Sequence, residues 1–231
     1  MDTATRRGVV RWCVREVSGT ILIGVILFWG GGTFDWPFAW VLGGIVFATF
    51  VAQAGLLIPR SPGLLAERAK RMQQGTKRFD RIILPIYGIT TLAAFLVAAL
   101  DYRWAWGPRL SLASQAVGLL LAALGSGYTT WAMVANSFFA FSVRIQQDRG
   151  HKVATSGPYK RVRHPGYVGA ILYAIGSAAA LGSYWAMVPA LASVVLLVIR
   201  TVLEDRTLQA DLPGYPDYAA RTRFRLLPGI W

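Results

Sequence analysis

Two polar clusters interrupt an otherwise apolar chain, and both hold residue types that can do chemistry. The first is Thr155-Ser156-Gly157-Pro158-Tyr159-Lys160-Arg161-Val162-Arg163-His164-Pro165-Gly166-Tyr167. The second, Arg200-x-x-x-Glu204-Asp205, closes the last apolar segment. Polar groups at membrane depth or at its edge are costly, so they are functional candidates by default. Pro165 suits the first turn of a helix, where its missing N–H costs nothing. His164 then sits at or just before a helix N-terminus, where free N–H groups and the positive dipole end favour an anion. A carboxylate-bearing cofactor is a natural occupant, and Arg163 can pair with the same anion. Tyr159 and Tyr167 each offer a flat face and a hydroxyl, suited to an adenine or a ribose. The competing reading is a basic amphipathic connector whose interfacial tyrosines bind lipid headgroups.

Arg200 and Glu204 are spaced i, i+4 and share a helix face. They form either an ion pair within the helix or a working pair. In the second case the carboxylate complements a cationic cofactor group, and the arginine orients an anionic acceptor. The aromatic, basic stretch 212–231 reads as a lid over the site or as a membrane-surface segment. His151 and His164 are the only histidines and Cys13 the only cysteine, which argues against a metal site. No dinucleotide fingerprint, phosphate-binding loop, zinc-protease motif or nucleophile elbow occurs.

The elements that must position these residues are membrane helices. Of 231 residues, 55% are hydrophobic and 15% charged, against about a quarter charged in a soluble domain. Mean hydropathy is +0.44. Runs of about 20 apolar residues span a bilayer, and the pattern places six spans near 17–34, 37–58, 82–101, 112–139, 167–182 and 185–203. The fifth carries Gly169, Gly176, Ala178, Ala179 and Ala180, small residues that let helices approach closely. The net charge of +13 is distributed as in membrane proteins, not as in nucleic-acid binders. Arginines and lysines precede span one, fill 60–81 and 144–163, and follow the last span, while Arg103 and Arg109 alone fall on the other side. This positive-inside pattern predicts both termini in the cytoplasm. The basic N-terminus and first apolar stretch read as a retained first helix rather than a cleaved signal. Segment 59–81 reads as a surface helix or a charged loop. The expected fold is an all-α polytopic bundle forming one integral-membrane domain over 1–231, with N-terminal helices over 1–135 and a core over 136–231.

With these residues in view, the runs His151 to Tyr159, Arg163-His164-Pro165-Gly166-Tyr167 and Arg200-x-x-x-Glu204-Asp205 resemble the isoprenylcysteine carboxyl methyltransferase family, with related membrane phospholipid methyltransferases sharing much of the pattern. The resemblance covers roughly 136–231. It implies an S-adenosylmethionine-dependent transfer of a methyl group to a lipophilic acceptor, with carboxylate oxygen first, then a phospholipid amine, then a thiol. The cofactor contacts it implies are Gln146, His151, Lys152, Val153, Ala154, Tyr159, His164, Pro165, Tyr167 and Glu204. Arg200 and Glu204 would be catalytic, with Arg200 facing the acceptor. Asp205 stands where many relatives carry a second glutamate. The site would face the cytoplasm from a bacterial inner membrane, with lipid as partner, no nucleic acid and no metal. The oligomeric state is left open. The alternative of another class is a non-enzymatic lipid-binding or transport membrane protein, and the near absence of charge within the spans counts against transport.

Overall fold

The computed structural model describes residues 1–70 and 72–231, so Arg71 of the basic 60–81 cluster lies outside the described residues. The described chain is all-α, with eight helices: α1 (Thr3–Gly31), α2 (Pro37–Arg60), α3 (Pro62–Arg68), α4 (Arg78–Trp104), α5 (Leu112–Ala135), α6 (Pro165–Ala180), α7 (Tyr184–Asp211) and α8 (Tyr215–Arg221). Five of them, α1, α2, α4, α5 and α7, are long and apolar enough to cross a membrane, and α6 is a shorter apolar helix. Large apolar side chains point outward along these helices, among them Phe47, Ile89, Leu120 and Val188. Such continuous exposed apolar surface suits lipid rather than water. The protein is an integral-membrane helical bundle.

Several boundaries differ from the sequence reading, those of α1, α5 and α7 among them. Helix α1 begins at Thr3 rather than near residue 17, because Asp2 caps it by accepting from the Thr5 N–H at 2.7 Å. Helix α5 stops at Ala135 rather than 139. There Asn136 folds its side chain onto the chain beyond, accepting from the Phe138 N–H at 2.9 Å, a local bond that competes with helix. Helix α7 runs on to Asp211, carrying its polar end well past residue 203.

Helices α5 and α6 approach each other closely. Gly118 and Gly125 face Gly176 and Gly169 across the contact. A Cβ on Gly176 would stand 2.5 Å from the Ala122 nitrogen, and one on Gly125 would stand 2.5 Å from the Gly169 oxygen. Only hydrogen fits there, so this seam fixes where α6 begins relative to the end of α5. At the outer end, Gly182 (φ +78°) and Ser183, which caps α7 by accepting from Ala186 N–H at 3.1 Å, turn the chain into the hairpin.

Within 59–81, the residues Pro62–Arg68 form α3, which packs on protein rather than lying free on the membrane surface. Helix α3 buries Leu64 and Leu65 against Val9, Trp12, Leu57 and Met133. Its apolar side faces protein, and its last turn is thereby brought to the basic end of the bundle.

Candidate active site

The ends of α5, α6 and α7 converge at that basic end, and the non-helical chain 136–164 passes between them. Together they enclose a cavity of about 230 Å³. Gln146, His151, Lys152, Val153, Ala154, Tyr159, His164, Tyr167, Arg200 and Glu204 all line it. Residues as far apart in sequence as Gln146 and Glu204 therefore meet at one place. Pro165 is the exception. It is buried in the first turn of α6 and absent from the lining. The ring that starts the helix is held in the protein core, so its part is to set the position of His164 and Tyr167.

The loop carrying Gln146 and His151 is closed on itself. The His151 N–H donates to the Gln146 carbonyl at 3.2 Å, and the Gln146 N–H donates to His151 Nδ1 at 3.3 Å. Gln146, almost wholly buried, donates its Nε2 to the Phe138 carbonyl at 2.7 Å. Phe138 lies against the His151 ring, centroids 4.8 Å apart. Burial, then the nearby Arg149 and Arg144, pushes the imidazole down to about 4. His151 is therefore neutral at pH 7 with Nδ1 as acceptor.

The second cluster divides in two. Asp205 is fully buried and receives the Arg163 guanidinium through Nε (2.7 Å) and Nη2 (3.0 Å), and Arg225 Nε at 2.9 Å. Tyr215 O–H, Gln209 Nε2 and His164 Nε2 donate to it as well, at 2.9, 2.8 and 3.1 Å. Arg163 also donates to the Thr222 and Arg223 carbonyls, at 2.9 and 2.8 Å. So Arg163 is committed to the protein's own groups rather than to a ligand anion. The same cluster binds the C-terminal stretch, because the Arg163 and His164 N–H groups donate to the Phe224 and Arg225 carbonyls. Tyr215 and Tyr218 of α8 become cavity walls, so this part of 212–231 lies against the site.

Glu204, one residue earlier, turns the other way. It is partly exposed in the cavity and accepts from the Tyr167 hydroxyl. Nor does it pair with Arg200. That arginine binds Asp80 of α4 through Nε (2.6 Å) and Nη2 (3.0 Å), donates from Nη2 to the Phe141 carbonyl at 2.8 Å, and lies over the Tyr167 ring at 5.3 Å. The ion pair within the helix does not form.

Sequence reasoning missed Asp80, Asn136, Phe138 and Arg68, and reached Tyr215 only as part of the candidate lid over 212–231. Asp80 could have been suspected, since a lone acid in Arg78-Phe79-Asp80-Arg81 at the start of a span needs a partner. Asn136, closing an apolar helix with Tyr159 as partner (3.2 Å), carried a similar signal. Nothing local marked Phe138 or Arg68.

Comparison with known proteins finds similarity in sequence and in fold. Residues 117–210 match the model of the isoprenylcysteine carboxyl methyltransferase family. Two curated relatives, each described as a probable protein-S-isoprenylcysteine O-methyltransferase, come from Oryza sativa subsp. indica and subsp. japonica. Each is 37% identical over 62 residues, covering 26% of this chain and 32% of the relative. The chain thus spans about a third of their length in the match. A solved structure of the eukaryotic intramembrane Ras methyltransferase of this family superposes with a TM-score of 0.51 at 18% identity, covering 86% of this chain and 71% of that one. At that identity the likeness is one of fold.

Proposed function

We propose that this chain, whose residues 117–210 match the model of the isoprenylcysteine carboxyl methyltransferase family, is an integral-membrane methyltransferase of that family. It uses S-adenosylmethionine to esterify the carboxylate of a lipophilic, isoprenylcysteine-like acceptor. The observation that carries this reading is the meeting of the 146–159 loop, the start of α6 and Glu204 around one cavity. The donor set suits the cofactor. Glu204 is a carboxylate for a sulfonium, Tyr159, Tyr167 and Phe138 are flat faces for an adenine, and Lys152 is a cation for a carboxylate. We assign Gln146, His151, Lys152, Val153, Ala154, Tyr159, His164, Tyr167 and Glu204 to cofactor binding, and Pro165 to positioning. Residues 136–231 act as the catalytic core, with further cavity wall from Arg68, Leu84, Tyr87 and Thr129.

When bound, the cofactor supplies a methyl group on sulfur, whose S–C bond breaks as the acceptor O–C bond forms, leaving the electron pair on sulfur. The chain's own task is alignment and exclusion of water. A carboxylate is already ionised at neutral pH, so no general base is required. Arg200, locked to Asp80, keeps Nη1 free of any described protein acceptor. It is thus a rigid positive wall beside the acceptor rather than a mobile clamp. The cavity lies at the arginine-rich end of the bundle, and the positive-inside distribution supports a cytoplasmic entrance for the polar cofactor.

Calorimetric titration of S-adenosylhomocysteine into the purified protein tests the reading. Saturable binding near one per chain is expected. Folded protein that binds none, in detergent and in lipid nanodiscs, would overturn it.

A further inference from the structure

Four arginines line the cavity, and three are already neutralised. Arg144 is held by Glu67 and Asp148, Arg163 by Asp205, and Arg200 by Asp80. The fourth, Arg68 at the end of α3, has no carboxylate within ion-pair distance among the described residues. The nearby Glu16 is engaged by Arg15. Arg68 makes one long hydrogen bond, Nη1 to the Phe139 carbonyl at 3.4 Å, and its guanidinium lies over the Phe139 ring at 5.2 Å. Its Nε is shielded from water and has no acceptor. Such an orphaned donor on a charged group is costly, and the fold could have relieved it with one more carboxylate. The orphan also sits beside a second cation. Arg200 donates to Phe141 and Arg68 to Phe139, two residues apart on one non-helical segment. Burial above all, with Arg15 and Arg200 adding to it, lowers the Arg68 guanidinium to about 10, so it remains charged at neutral pH. The site carries an unbalanced positive charge that an anion would balance.

We propose that Arg68 is the receptor for the acceptor's carboxylate, with Arg200 as its fixed neighbour; this rests on the methyl-transfer reading above. The assignment divides the labour among the cavity's cations. Lys152 lies within the stretch assigned to the cofactor, whereas Arg68 comes from α3, outside residues 117–210. It also gives the pocket a release step. Methyl transfer converts the carboxylate into a neutral ester, so the charge contact that holds the substrate vanishes in the product. Because the negative charge is already fading in the transition state, Arg68 contributes to holding the acceptor more than to the chemical step.

The test is calorimetry in dodecyl maltoside, which offers no competing anion. N-acetyl-S-farnesylcysteine and its carboxamide are titrated into protein saturated with S-adenosylhomocysteine. The acid is expected to bind wild type at least about tenfold tighter than the amide, the weight of one charge-assisted contact. Arg68→Gln should abolish that preference, Arg68→Lys should restore part of it, and S-adenosylhomocysteine affinity should stay unchanged in both. In turnover, Arg68→Gln should raise the acceptor KM with little change in kcat. A preference that survives Arg68→Gln overturns the proposal and moves the anion to Arg200. Loss of S-adenosylhomocysteine affinity in Arg68→Gln with the preference intact overturns it too, and puts Arg68 on the cofactor's carboxylate. If Arg68→Gln does not fold, wild type and Arg68→Lys decide. No acid preference in wild type, or an undiminished one in Arg68→Lys, sinks the proposal. Wild type that binds no S-adenosylhomocysteine at all is the separate failure of the methyl-transfer reading.

Discussion

Glu204 and Asp205 are adjacent on one helix and have opposite fates. Asp205 is sealed among two arginines, a histidine, a tyrosine and a glutamine from four parts of the chain. Glu204 faces the cavity with a single hydroxyl from Tyr167. A helix turns by about 100° per residue, so neighbours on α7 look into different surroundings. The difference separates two jobs that a sequence reading merges. A carboxylate with every lone pair engaged ties elements together and has nothing left for a ligand. One with unspent capacity, open to a cavity, can receive a cationic group.

The comparison is broken most severely at Asp205. Asp205→Ala leaves Arg163 and Arg225 facing each other without a counterion, and removing one partner of a buried pair costs about 3–5 kcal/mol. The expected outcome is a large drop in the thermal midpoint of the detergent-purified protein, and release of the 212–231 stretch to limited proteolysis. Next in size is Asp80→Ala, which strips Arg200 of both of its charge-assisted bonds. The loss should be somewhat smaller, about 2–4 kcal/mol, because the Phe141 carbonyl still holds Nη2. The thermal midpoint measures it, and a midpoint equal to wild type would show that Arg200 is free rather than locked.

Glu204→Gln sharpens the contrast instead. It should leave the thermal midpoint nearly unchanged, since only the Tyr167 contact is altered. It should weaken S-adenosylmethionine by roughly tenfold, about 1.4 kcal/mol, while sparing S-adenosylhomocysteine, whose sulfur is uncharged. Titrating both ligands into wild type and variant checks this. An equal loss for both would mean that Glu204 shapes the pocket without meeting the sulfonium.

The fold was legible because its signals are local. Apolar runs of spanning length, and Gly169 and Gly176 seven residues apart, announce helices and a close seam. The convergence of the 151–167 run on Arg200 and Glu204 was legible only through the resemblance. What stayed hidden depends on tertiary pairing. Whether Arg200 meets Glu204 four residues away or Asp80 a hundred and twenty away is decided by how α4 packs on α7, and the i, i+4 spacing favours the wrong partner. Arg163 looked like an anion site for the same reason, since its carboxylate lies on another helix. Arg68 was one cation among many between two spans. It is singled out by what its neighbours lack, and a sequence does not show that.

The smallest effect is that of His151, and its sign follows from burial. The imidazole titrates near 4 in the folded protein against 6.5 in its absence. Above pH 6.5 it is neutral in both states and its contribution is fully present. As pH falls from 6.5 toward 4, the unfolded chain takes up a proton that the fold refuses, so stability is lost across that window. Within the folded chain the change comes only as pH approaches 4, where a protonated Nδ1 can no longer accept from the Gln146 N–H and the loop against Phe138 loosens. S-adenosylhomocysteine affinity should therefore hold to about pH 5 and decline between pH 5 and 4 in wild type. His151→Phe keeps a ring against Phe138 and removes the proton site, so its affinity should start slightly lower and stay flatter over the same range. Parallel slopes for the two proteins would place the acid-sensitive group elsewhere in the pocket, and would leave the neutral imidazole with a packing role alone.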